Sequence, residues 1–323
     1  MTTLNFALVN IATNDTRKNI YPLGLAYLSR SLIPYGNVKV FDLHYSDDDR
    51  TDLFRWINDV RSPVFIGLSM CSHPDSIRMC SAIAQQIKML SPTTIVGVGG
   101  PHPTFQGEEL LAEYLEFDAA FIGPGELAIS QIAENLRAKV FWATNVNNLI
   151  FKNQLGEIVV SPCRSFRFDV LPAREFLPSI KEYAAKYQIE VPVISIDSSR
   201  GCHGNCTFCA LSLDKMRRYS VRSTNLIKAD IEATIEREHL SVVDLFITDA
   251  DFFAVPIHAY QVLKVIETIK AVRNFSISCR ADSLLRVDRN VLDLLFTLGC
   301  NQIEIGVESA SDSQLIRYNK RTT

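Results

Sequence analysis

The sequence predicts an α/β protein: an N-terminal doubly wound parallel sheet followed by part of a (β/α) barrel. Three features lead to that reading. Short apolar segments alternate with helical patterns over residues 1–138, the alternation lapses over 139–190, and it resumes over 191–323. A chain of 323 residues is long enough for two domains. Its 47% hydrophobic and 21% charged residues suit sizeable buried cores and exclude a disordered or low-complexity chain.

The first strand is expected at Leu4–Val9, followed by a polar loop, Asn10 to Asn19. Leu25, Leu28 and Leu32 recur at helical spacing, and Pro22 suits a first turn, so a helix is expected over Pro22–Leu32. Strands follow at Val38–Asp42 and Val64–Met70, then a helix over Pro74–Leu90 with Ile77, Cys80, Ile83, Ala84 and Ile87 on one face. Thr94–Val98 runs into Gly99-Gly100-Pro101-His102, and Ala119–Ile122 into Gly123-Pro124-Gly125-Glu126 and a helix. In doubly wound sheets ligands bind beyond the carboxyl ends of the strands. That edge collects Ser69, Gly99, Gly100 and Gly123, small residues that let a ligand approach the backbone closely, and also His73 and His102. A tight strand-to-loop turn explains Gly99-Gly100 equally well.

Leu149–Lys152 and Glu157–Val160 flank Asn153-Gln154-Leu155-Gly156 and read as a hairpin. With Pro162, Pro172 and Pro178 after it, the stretch 139–190 is expected to link the domains. Beyond it come strands at Val193–Asp197, Val242–Thr248, Phe275–Cys279 and Gln302–Gly306. Helices are expected at Asn225–Glu238, Ile257–Val272 and Asp288–Leu298. A full eight-unit barrel takes about 250 residues, roughly 31 per unit, so residues 193–323 hold about four units. The chain is therefore expected to be truncated within the barrel.

A net charge of −3 gives no bulk electrostatic case for nucleic acid or an anionic membrane. No apolar run approaches the roughly 20 residues that span a bilayer, and the opening residues do not read as a signal peptide. A cytoplasmic protein is expected, and its eight cysteines are not expected to form a disulfide framework.

Three of those cysteines cluster, in Arg200-Gly201-Cys202-His203-Gly204-Asn205-Cys206-Thr207-Phe208-Cys209, just past a barrel strand. Barrels place their chemistry at that end. Three thiolates on one loop suit an iron–sulfur cluster, and with three cysteines on four irons one iron stays open to an exogenous ligand. With His203 they also have the atom types of a structural zinc site, and spacing alone leaves both open. Two points weigh against zinc: His203 adjoins Cys202, which strains a tetrahedral site, and no second cysteine pair lies nearby in sequence.

Cys202-x-x-x-Cys206-x-x-Cys209, with Phe208 before the last cysteine, resembles the signature of the radical S-adenosylmethionine (radical SAM) enzymes. Phe246–Phe252, Ser278-Cys279-Arg280-Ala281-Asp282, Ile305-Gly306-Val307-Glu308-Ser309 and Asn319–Thr323 are similar to later segments of that family. Tyr21–Leu28, Gly99–His102 and Gly123–Glu126 are similar to the cobalamin-binding domain of one of its branches.

The resemblance implies that Cys202, Cys206 and Cys209 hold a [4Fe-4S] cluster whose open iron chelates S-adenosylmethionine. One electron from a flavodoxin- or ferredoxin-type donor then yields methionine and a 5′-deoxyadenosyl radical, and cobalamin supplies a methyl group to a small-molecule or peptide substrate at an unactivated carbon or phosphorus. A different radical reaction (cyclisation, rearrangement or thioether formation) is the alternative within the family, and a non-catalytic zinc protein the alternative outside it.

Phe208, Asp249, Arg280 and Glu308 are then cofactor-binding candidates, Arg280 through a planar fork suited to a carboxylate. Against each stands a plainer role: packing for Phe208, helix capping near Pro256 for Asp249, a mutual or local salt bridge for Arg280 and Glu308. Cobalt-ligating families carry Asp-x-His-x-x-Gly after the first strand. Here Asp42-Leu43-His44 follows the second strand and Asp47 stands at the Gly position, so cobalamin is expected to bind without a histidine from such a motif.

Overall fold

The computed structural model describes residues 3–11, 21–43, 47–60, 64–164, 174–212 and 219–320. His44, Pro172 and most of the loop from Asn10 to Asn19 lie outside these residues. The chain divides into two compact units. One holds nearly all of residues 3–164 with Arg174–Leu177, and the other holds residues 178–320 with a short piece around Pro22.

The first unit runs β1 (Leu4–Asn10), α1 (Leu23–Leu32), β2 (Gly36–Asp42), α2 (Asp47–Val60), β3 (Phe65–Ser69), α3 (Pro74–Leu90), β4 (Ile95–Gly99), α4 (Pro101–Glu113), β5 (Ala119–Phe121), α5 (Glu126–Ala138), β6 (Leu149–Lys152) and β7 (Ile158–Val160). Its sheet has the order β2-β1-β3-β4-β5-β6-β7, with the first five strands parallel. The strands read as nearly continuous apolar runs because both faces are covered. Ala7, Val9, Ile66, Leu68, Val96 and Val98 face α2, α3 and α4 through Leu53, Ile57, Ile83, Ile87 and Leu110. Their neighbours Phe6, Leu8 and Phe65 face α1 and α5 through Leu25, Leu32, Ile129 and Ile132. The order reverses between β1 and β3, the switch point at which such sheets bind ligands.

Residues 139–190 are not simply a linker. The hairpin β6–β7 extends the first sheet by antiparallel pairing of β6 on β5, Ala120 opposite Ile150. The reason is physical: Leu149, Ile150 and Phe151 are buried only on a sheet, and β5 otherwise presents an unpaired edge. The end of the stretch belongs to the second unit, where Ser179 and Glu182 form a reciprocal capping box on α6 (Ile180–Lys186).

The second unit continues with β8 (Val193–Ile196), β9 (Ser199–Arg200), β10 (Ser220–Val221), α7 (Thr224–Arg237), β11 (Val243–Ile247), α8 (Pro256–Thr268), β12 (Val272–Arg280), α9 (Ala281–Leu284), α10 (Arg289–Thr297), β13 (Cys300–Gly306) and α11 (Asp312–Arg317). β8, β11, β12 and β13 form a parallel sheet in chain order, each strand beside its predecessor, as in a (β/α) barrel. β9 and β10 pair separately, and the fully buried ion pair of Arg222 with Asp230, 2.9 Å, ties the end of β10 to α7. No helix of the described residues is long and apolar enough to cross a membrane.

Candidate functional site

The cysteine loop leaves β9 at the carboxyl edge of the second sheet. Beneath it lies Asp249, 2% exposed, just after β11. Its carboxylate accepts four hydrogen bonds, from the N–H groups of Ser198 and Ser199 at 2.7 and 3.0 Å and from their hydroxyls at 2.5 and 2.6 Å. Burial pushes its pKa up, and the bonds from Ser198 and Ser199 oppose that rise. His258 Nε2 of α8 lies 3.0 Å from the Ser198 carbonyl oxygen. Asp249 was expected to face cofactor or to cap a helix. It does not cap α8, whose N-cap is Val255, and both of its carboxylate oxygens accept from the turn that leads into the cysteines. Asp251 holds a second turn, accepting from the Arg280 N–H at 3.2 Å and the Ser283 hydroxyl at 2.6 Å.

Cys206 is buried, and Cys202 and Cys209 are half-buried. The Gly204 N–H donates to Cys202 Sγ at 3.3 Å, and Arg280 Nη1 donates to Cys206 Sγ at 3.3 Å. A Cβ on Gly204 would lie 2.7 Å from Arg280 Nη1 and 3.3 Å from Cys202 Sγ, so only glycine leaves room for the guanidinium there.

Arg280 turns its fork inward: Nε and Nη2 bind the Asp282 carboxylate at 2.8 and 3.2 Å, and Nη2 also donates to the Lys320 carbonyl. Of the two salt bridges expected, mutual or local, the local one forms: Arg280 pairs with Asp282, and Glu308 pairs with Lys320. Glu308 takes a positive φ of 66° and accepts from buried Lys320 Nζ at 3.0 Å. Phe208 is half-exposed and meets Tyr318 edge-on at 5.5 Å. The Thr207 N–H donates to the Tyr318 carbonyl at 2.9 Å, and Asn319 Nδ2 to the Asn205 carbonyl at 2.8 Å, so residues 318–320 clamp the loop from its far side.

Sequence reasoning missed Ser198, Ser199, His258, Asp282 and Tyr318. Only Asp282 left a trace, two positions after Arg280.

In the first unit, the register aligns Asp42, Asn10, Ser69 and Gly99 as one row across the carboxyl ends of β2, β1, β3 and β4. Asn10 Nδ2 donates to Asp42 Oδ1 at 3.0 Å. Gly100 has a φ of 115°, and a Cβ there would come within 2.5 Å of the Met70 carbonyl oxygen, so the turn itself requires this glycine. Gly123 is different: a Cβ at that position meets nothing within 4 Å. The space beside Gly123 is therefore open, whereas a Cβ on Gly99 would lie 3.7 Å from the Phe121 side chain. His73 Nδ1 accepts from the Asp75 N–H at 3.2 Å and caps α3.

A half-barrel with a three-cysteine loop, and a separate sheet of order 2-1-3-4-5, define an α/β protein built around two cofactor sites. The B12 binding domain family matches residues 9–133, and the Radical SAM superfamily matches residues 196–323. The chain belongs to the radical SAM enzymes that carry an N-terminal B12-binding domain. It is 28% identical over 315 residues to the hopanoid C-3 methylase of Methylococcus capsulatus, covering 94% of this chain and 56% of that protein. It is 26% identical over 298 residues to an uncharacterized methyltransferase of Pyrococcus horikoshii, covering 90% of this chain and 61% of that one. The chain thus spans somewhat over half the length of these relatives. Its fold matches the cobalamin-dependent S-adenosylmethionine radical enzyme OxsB, solved with aqua-cobalamin and S-adenosylmethionine, with a TM-score of 0.79 at 20% identity over 99% of this chain and 46% of that one.

The cofactors of these two domains are a [4Fe-4S] cluster, S-adenosylmethionine and cobalamin. The donor chemistry fits the cluster: three thiols share one loop, and N–H groups point at two of the sulfurs. Among the described residues no three His, Cys, Asp or Glu side chains close on a single-ion site.

Proposed function

We propose that this chain carries the cofactor-binding core of a cobalamin-dependent radical SAM methyltransferase acting on an unactivated carbon or phosphorus centre. The observation that carries this reading is the cysteine loop: three thiols, supported from below by Asp249 and facing N–H donors from Gly204 and Arg280. Cys202, Cys206 and Cys209 would ligate the cluster. Bound there, cluster and S-adenosylmethionine supply a radical that abstracts hydrogen, and cobalamin supplies the methyl group. Glu308, held on one oxygen by Lys320, keeps its other oxygen for the polar groups of S-adenosylmethionine. In the first unit, Ser69, Gly99 and Gly123 would let the corrin ring approach the sheet edge. The substrate is a small molecule or peptide, and a flavodoxin- or ferredoxin-type protein delivers the electron.

The test is anaerobic reconstitution with iron, sulfide and cobalamin, followed by incubation with S-adenosylmethionine and a low-potential reductant. Both 5′-deoxyadenosine and S-adenosylhomocysteine are expected, and Cys206→Ala should abolish the first. 5′-Deoxyadenosine without S-adenosylhomocysteine would replace methylation with another radical reaction. A colourless protein that binds zinc and cleaves nothing would sink the reading.

A further inference from the structure

The fork of Arg280 is already engaged. A guanidinium has five N–H donors. Nε–H goes to Asp282 Oδ1, and Nη2 serves both Asp282 Oδ2 and the Lys320 carbonyl. One Nη1–H goes to Cys206 Sγ at 3.3 Å, which leaves a single N–H. A single N–H cannot grip a second carboxylate in the two-point manner for which arginine is suited. The side chain is also fixed in place: it is mostly buried, its fork is clamped, and the missing side chain of Gly204 keeps the space Nη1 occupies.

We infer that Arg280 is a positioning residue that sets the reduction potential of the cluster, through its N–H bond to the Cys206 sulfur, with Asp282 and the Lys320 carbonyl locking the donor in place. The inference rests on the loop being a cluster site. Adding one electron to a cluster, without a proton, raises the electron density on its ligand sulfurs. An N–H donor binds the more negative state better, so it favours reduction. Asp282 neutralises much of the guanidinium charge at a distance, so the directed N–H dipole at the sulfur supplies most of the effect. The Gly204 N–H acts on Cys202 in the same sense.

The experiment is EPR-monitored potentiometry on the full chain, reconstituted anaerobically with iron and sulfide, without S-adenosylmethionine, with iron counted per chain. Arg280→Gln should keep its iron and show a midpoint more negative than the parent's, with Arg280→Lys lying between the two. Gly204→Ala reaches the same end by another route: it retains the arginine charge but displaces Nη1 from Cys206, and its midpoint should also fall. It decides the matter if Arg280→Gln does not take up the cluster. An unchanged midpoint in an iron-replete variant overturns the inference, since a residue serving only S-adenosylmethionine leaves the midpoint measured without it untouched. Failure of the parent chain itself to take up iron would overturn the cluster reading, and this inference with it.

Discussion

Asp249 does its work beneath the cysteines. With both oxygens doubly bonded to the turn of Ser198 and Ser199, it fixes the direction in which the chain leaves β8 and enters the loop. Asp249→Ala would leave two N–H groups and two hydroxyls without that acceptor in a buried site. Charged hydrogen bonds and buried unsatisfied donors each carry about 1–3 kcal/mol, so a loss of about 3 kcal/mol is expected. The urea midpoint of the second unit, followed by circular dichroism, should fall, and iron uptake on reconstitution should fall with it. Asp249→Asn, which keeps one oxygen acceptor, should lie between. Full iron loading in Asp249→Ala would show that the loop holds its shape without this support. The sequence pointed to Asp249 as important and misplaced its partner, because Ser198 and Ser199 lie some fifty residues away and only the pairing of β8 with β11 brings them together.

At the scale of elements, what the sequence showed follows from periodicity. The strands of both sheets stand out as short apolar runs, α3 carries its apolar residues at three- and four-residue spacing, and these elements, with α7, fall within a few residues of expectation. α2 was missed because its composition is largely polar and it buries little besides Leu53 and Ile57. α4 was missed because Gly-Pro-His-Pro reads as loop, although Pro101 sits in the first turn, where no N–H is needed. α8 stops at Thr268 and not at Val272, since Val272 already begins β12.

Gly100 at the β4–α4 junction offers a clean test of one such joint. An alanine there would take an unfavourable φ and crowd the Met70 carbonyl, at a cost of about 1–3 kcal/mol. Both tryptophans of the chain, Trp56 and Trp142, lie in the first unit. Gly100→Ala should therefore lower the urea midpoint seen by tryptophan fluorescence. Arg222→Ala, which breaks the buried ion pair in the second unit, should leave that signal in place while lowering the stability of the second unit. A fluorescence midpoint unmoved by Gly100→Ala would mean that the turn has another accessible shape.

For the whole molecule, each unit has its own sheet, and the two candidate cofactor edges belong to different sheets. Lesions at one edge should therefore not empty the other. Cys206→Ala removes a ligand from the cysteine loop, which belongs to the second unit. Gly123→Leu adds a bulky side chain where a Cβ meets open space, at the edge where the corrin ring would lie, for a backbone cost of about 1–2 kcal/mol from its positive φ. With both variants reconstituted in parallel and analysed for iron and cobalt, Cys206→Ala should lose its iron and broad visible absorbance while retaining cobalt. Gly123→Leu should do the reverse. Loss of both metals in either variant would mean that the two sites are assembled as one. Full cobalt retention in Gly123→Leu would move the corrinoid away from the carboxyl ends of β4 and β5. The crossed pattern would assign each cofactor to its own sheet and leave, for the complete reaction, only the question of which substrate is brought to them.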